Sequence, residues 1–218
     1  MSGTEPAAPD RSVTIPAGAV RLAGELTLPT KTGGVVLFAH GSGSSRLSPR
    51  NRLVARALVR AGLGTLLFDL LTREEDRAYE TRFDIGLLTA RLRAAAAWWR
   101  AQPDAAGVRV GYFGASTGAA AALETAAREP DATAAVVSRG GRPDLAMDAL
   151  GLVRAPTLLI VGGRDPDVLE LNRRALARIT CAKELSIVPG ATHLFEEPGT
   201  LEKVADLASA WFLEHLGA

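Results

Sequence analysis

Residues 108–127 read VRVGYFGASTGAAAALETAA, a short apolar run, a serine between two glycines, and a stretch rich in alanine. The run reads as a strand and the alanines as a helix, so Ser116 falls on the corner between them. A Gly-x-Ser-x-Gly corner has two readings. It is either a nucleophile held outward on a sharp turn, or a small residue in a tight structural bend. Glycine supplies 22 of the 218 residues, so the pattern arises by chance often enough that the rest of the chain must decide.

Outward from this corner the chain alternates. Upstream, residues 12–15 and 20–28 are strand-like pieces around Gly18, which suits a hairpin. Residues 35–40, VVLFAH, form a continuous apolar run, the pattern of a strand buried on both faces of a parallel sheet. Helical spacing follows over 49–61, then a strand at 65–70, a polar loop, and a long helix at 83–102 carrying Trp98 and Trp99. Downstream of the serine helix (117–128), strands at 133–138, 156–162 and 183–189 alternate with helices at 144–153, 168–179 and 201–216. Eight strands with helices between the later ones imply a mostly parallel α/β sheet with helices on both faces and an antiparallel N-terminal edge. Residues 1–10 read as a disordered lead-in, and 11–218 as a single domain without a cap.

The composition is that of a globular protein with a proper core, at 47% hydrophobic and 22% charged residues. A net charge of +1 gives no footprint for nucleic acid or an anionic membrane, and no apolar run approaches the ~20 residues of a membrane span. One cysteine, Cys181, forms no disulfide within the chain and fits a reducing compartment, so the expected location is the cytoplasm.

In an open α/β sheet, ligands bind beyond the carboxyl ends of the strands. The segments that leave those ends are GSGSSR, LTREED, ASTG, RGGR, GRDPD and GATHLF. One edge thus collects a serine, an acid and a histidine in the chain order Ser, Asp, His. With FAHGSGSS, GASTG, VGGRDPD and GATHLFEEP in place, the chain resembles the α/β-hydrolases, in particular the small lidless group related to dienelactone hydrolase. The resemblance runs from about Val13 to Leu216. It implies a serine hydrolase acting on a carboxylic ester or thioester through an acyl-enzyme, with no metal or organic cofactor.

Within that frame Ser116 is the nucleophile and His193, in the loop after the last strand, is the base. Asp165 is the acid that holds the imidazole, with Asp167 as its competitor. His40 is expected to shape the neighbouring loop. The amide of Thr117 supplies one oxyanion donor, and the HGSGSS loop supplies the other, Ser42 or else Gly43. Arg46, Arg139 and Arg142 follow strand ends and could hold a substrate carboxylate, Arg139 foremost, or could simply pair with acids such as Glu74, Glu75 and Asp144. Only residues 139–155 separate two strand regions where many relatives insert a lid, so the site is expected to be open, covered in part by residues 71–82. The chain departs from dienelactone hydrolase itself in carrying serine where that enzyme has cysteine. The expected partner is a small ester, and a homodimer stays open. Acyl transfer or peptide cleavage by the same triad, or a binding protein of low turnover, are the alternatives.

Overall fold

The computed structural model describes residues 10–217. Eight strands hydrogen-bond in the order β1-β2-β4-β3-β5-β6-β7-β8. They are β1 Asp10–Ala17, β2 Val20–Thr27, β3 Gly34–Ala39, β4 Gly64–Phe68, β5 Arg109–Ala115, β6 Ala135–Arg139, β7 Thr157–Gly162 and β8 Lys183–Val188. β3 to β8 are mutually parallel, and β1 and β2 form the antiparallel edge, with β2 antiparallel to β4. Among the described residues five α-helices accompany them: α1 Pro49–Arg60, α2 Ile85–Arg100, α3 Thr117–Arg128, α4 Pro166–Arg178 and α5 Thr200–Leu216.

The apolar runs are continuous because both sheet faces are covered. In β3, Val35, Leu37 and Ala39 enter one core layer with α2 and α3, while Val36 and Phe38 enter the other with α1 and α5. Trp99 is fully buried in the first layer and Trp98 packs half-buried against it, as adjacent helical positions require. Helix starts are fixed locally. The Ser48 hydroxyl accepts from the Asn51 N–H ahead of Pro49, and the Asp84 carboxylate accepts from the Leu87 N–H at 2.9 Å.

Two expectations need amendment. The lead-in expected over residues 1–10 lies outside the described residues except for Asp10. That residue opens β1, opposite Thr27, whose hydroxyl donates to its carboxylate at 2.6 Å. The helix expected over 144–153 is instead two short 3-10 turns, Pro143–Ala146 and Leu150–Leu152. Ala146, Leu150 and Val153 are nevertheless buried. A segment this short, interrupted by Gly151, cannot repay the nucleation of an α-helix, and tight turns bury the same side chains.

Candidate active site

Ser116 joins β5 directly to α3 with φ 51° and ψ −121°. A non-glycine residue in that region carries about 1–3 kcal/mol of strain, which the surrounding structure must hold in place. Two backbone hydrogen bonds do so. The Ser116 N–H donates to the Arg139 carbonyl at 3.3 Å, and the Arg142 N–H donates to the Ser116 carbonyl at 3.1 Å. A serine at this position of a helix ordinarily caps it, yet the Ser116 hydroxyl makes no capping bond. It is left available for other work.

Close approach makes the corner possible. A Cβ at Gly118 would fall 2.1 Å from the Ala39 carbonyl oxygen and 2.5 Å from that of His40, so only glycine lets α3 start against the end of β3. Gly114 faces the first turn of α3 in the same way, with the Ala119 Cα 2.4 Å from where its Cβ would lie.

The acid and base come from the next segments along the sheet edge. Asp165 follows β7 and precedes Pro166 of α4, and His193 lies between β8 and α5. His193 Nδ1 is 2.7 Å from Asp165 Oδ2. The Asp165 side chain is 14% exposed and that of His193 39%, so the carboxylate is screened while the imidazole reaches the surface. The arrangement fixes the proton on Nδ1 and leaves Nε2 as the basic nitrogen. Asp167, the competing acid, lies in the first turn of α4 and makes no bond to His193 among the described residues. The histidine loop is shaped by Phe195, buried and with φ 56°, and by the Glu197 carboxylate, which accepts from the Thr192 N–H at 3.1 Å. Neither feature was foreseen from the sequence, since nothing in the local pattern marks a left-handed phenylalanine.

The loop after β3 turns sharply. The Ser44 N–H donates to the Gly41 carbonyl at 3.1 Å, and Gly43 has φ 65° while Ser42 does not share a positive φ, the form of a type II turn. The loop abuts the serine, for a Cβ on Gly41 would come 3.0 Å from the Ser116 Cβ. The Thr117 N–H, first of α3, has no partner within its helix. Ser42, Gly43 and Thr117 line one small pocket with His40, Leu71, Asp76 and Arg82. Leu71, Asp76 and Arg82 belong to the segment expected to cover the site in part. Asp69, at the end of β4, anchors the loop by accepting from the Arg46 N–H at 2.8 Å and pairing with the Arg46 guanidinium.

His40 supports this loop as a neutral imidazole. The Leu70 N–H donates to Nε2 at 3.0 Å, so the proton sits on Nδ1, which faces the Gly41 carbonyl at 3.0 Å. Burial pushes its pKa below the ordinary 6.5. An unfolded chain therefore takes up this proton at a higher pH than the folded one. The contribution of His40 to stability is full above pH 6.5 and declines as pH falls toward its folded pKa, by at most about 1.4 kcal/mol per pH unit. The stability gap between wild type and His40→Gln, from urea unfolding, is expected to narrow from pH 7 to pH 5. A gap independent of pH would show that His40 is not buried neutral.

The three arginines part company. Arg46 is paired with Asp69, and Arg142 makes two bonds to Asp144 at 2.9 and 2.8 Å. For these two, pairing with nearby acids describes what they do, although the acid beside Arg46 is Asp69. Arg139, the last residue of β6, is 8% exposed and has no carboxylate partner among the described residues. Among the described residues no group of three or more His, Cys, Asp or Glu side chains gathers as a metal site, and no helix is long and apolar enough to cross a membrane.

A parallel sheet flanked by helices, with a serine on the β5–α3 corner and a hydrogen-bonded Asp–His pair from the last two loops, has the architecture of the α/β-hydrolases. The model of the dienelactone hydrolase family matches residues 22–213. The chain belongs to that family. It is 55% identical to a dienelactone hydrolase from Anabaena variabilis whose crystal structure superposes with a TM-score of 0.94, covering 96% of this chain and 99% of that one. A lidless α/β serine hydrolase from Xanthomonas campestris shares the fold at 22% identity and a TM-score of 0.80, covering 98% and 99%. The chain is also 60% identical over 215 residues, 99% of its length, to a Mycobacterium tuberculosis H37Rv protein provisionally named a phosphoribosyl transferase. It spans about half of that relative, 48%.

Proposed function

We propose that the protein hydrolyses a small carboxylic ester or thioester through an acyl-enzyme on Ser116. The observation that carries this reading is the strained, uncapped Ser116 on the same sheet edge as the 2.7 Å Asp165–His193 pair. In the proposed cycle His193 Nε2 takes the Ser116 proton as Oγ attacks the carbonyl carbon. The amides of Thr117 and Ser42 hold the tetrahedral oxyanion, with the start of α3 adding its positive dipole end. The imidazolium, held by Asp165, gives its proton to the departing alcohol or thiol. A water deprotonated by His193 then attacks the acyl group, and Ser116 recovers the proton. Residues 11–218 act as one unit, and the lone thiol of Cys181 suits the cytoplasm.

The provisional transferase name belongs to a protein about twice as long, of which this chain spans 48%, while the family model that matches residues 22–213 of this chain is that of a hydrolase. We therefore base the reading of this chain on the hydrolase family that it matches. The direct test is a fluorophosphonate probe followed by peptide mass mapping. The adduct is expected on the peptide containing Ser116; an adduct elsewhere, or none, rejects the assignment.

Asp165→Asn is expected to lower kcat on p-nitrophenyl acetate by about 10³–10⁴-fold with a small change in KM, because the amide no longer fixes the proton on Nδ1. Retention of wild-type kcat in Asp165→Asn, with loss in Asp167→Asn, would transfer the role to Asp167.

A further inference from the structure

Arg139 is a buried cation with no counter-ion among the described residues. Its Nε and one terminal nitrogen are shut off from solvent and bond to nothing among the described residues. Its guanidinium carbon lies 5.9 Å from the centre of the Phe195 ring, a contact that favours the cation but supplies no hydrogen-bond acceptor. A second cation approaches instead of an anion. Arg50 is near enough that, with burial, it helps push the Arg139 pKa down to about 10. Among the described residues the buried Arg50 Nε also has no partner, and one of its terminal nitrogens is engaged, by the exposed Glu196 at 3.1 Å.

Two like charges gathered with unused donors are unfavourable, and the exposed Glu196 carboxylate meets Arg50 alone, leaving Arg139 without a negative partner among the described residues. Arg50 repeats the signal, for it stands in the first turn of α1, where the helix dipole disfavours a cation and the turn holds no acid. Arg139 adjoins the candidate site. Arg139 binds the Ser116 amide through its own carbonyl, and a Cβ on the next residue, Gly140, would lie 3.6 Å from the His193 Cε1.

We propose that Arg139 and Arg50 form an anion-binding subsite that takes a carboxylate or phosphate group, between the first turn of α1 and the histidine loop. A planar guanidinium offers such a group two parallel N–H donors. The group arrives either on the ester itself or as a free anion. The substrate-borne case rests on the hydrolytic reading; the free-anion case does not.

The experiment uses wild type, Arg50→Gln and Arg139→Lys. The first variant changes a partly exposed side chain and keeps the test decisive if the second does not fold. Hydrolysis of mono-p-nitrophenyl succinate is compared with that of neutral p-nitrophenyl acetate, and Tm is followed against inorganic phosphate. A fall of about tenfold or more in the succinate-to-acetate ratio of kcat/KM in Arg50→Gln supports a group carried by the ester. An unchanged ratio, with phosphate raising Tm in wild type and not in Arg50→Gln, supports the subsite with a free anion as its occupant. An unchanged ratio and no phosphate effect on wild-type Tm overturn the proposal. Should wild type hydrolyse neither ester, the hydrolytic reading fails, and the phosphate response alone decides for or against the subsite.

Discussion

Ser116→Ala is expected to abolish turnover of p-nitrophenyl acetate, with kcat falling by about 10⁴-fold or more. Removing the nucleophile of a triad costs nearly as much as removing all of its members, and the residual rate comes from donors that stay in place. In the proposed cycle those donors are the Thr117 and Ser42 amides, which the substitution does not touch. The folded protein should otherwise persist. The Ser116 hydroxyl caps nothing, and both bonds that clamp the residue use its backbone. Tm should therefore shift little, and in either direction. Alanine in a left-handed backbone carries strain much like that of serine. Loss of activity with Tm preserved, measured by kinetics and calorimetry on one preparation, separates a chemical role from a structural one. Activity within a few-fold of wild type would remove Ser116 from the reaction.

Gly118→Ala is expected to act on stability, and strongly. The added methyl would sit 2.1 and 2.5 Å from two backbone carbonyl oxygens at the end of β3. Neither can swing aside as a flexible side chain could, so α3 must move away from the sheet. Overpacking of this kind costs about 3 kcal/mol or more. For a chain of this size that corresponds to a fall in Tm of roughly 6–12 °C. The shift also moves the Thr117 amide and Ser116, so the remaining folded protein should have a lower kcat. Gly86→Ala is the matched control. It lies in the first turn of α2, its added methyl would meet only the Asp84 carboxylate, at 3.3 Å, and Tm should change by no more than a degree or two. An unchanged Tm in Gly118→Ala would mean that the helix is not seated as closely as described.

Much of this architecture was legible because each parallel strand is buried on both faces. VVLFA and TLLIVG are strands by their apolar continuity alone, and the turn segments between them fall where the site edge must be. The serine, aspartate and histidine could be chosen because they leave the carboxyl ends of strands that alternate with helices, and because the segments around them resemble those of the α/β-hydrolases. Features that depend on the third dimension were hidden. A helix over 144–153 looked reasonable locally, but Gly151 and the small span favour separate turns. The fate of Arg46, Arg139 and Arg142 could not be ranked from spacing, since the deciding fact is which carboxylate folds within reach. Asp69 reaches Arg46, Asp144 reaches Arg142, and none reaches Arg139 among the described residues. A sign of Arg50 was present in the sequence, as a cation in the first turn of a helix.

The strand order also fixes when the site can exist. β6, β7 and β8 add one after another on the same side of β5, and each delivers its piece in turn: the Arg139 carbonyl that clamps the serine, then Asp165, then His193. His193 follows Ser116 by 77 residues, which a ribosome takes about 4–15 s to synthesise. On the proposed reading, a nascent chain carries throughout that interval a serine without its base, so a half-made protein would not attack the esters around it.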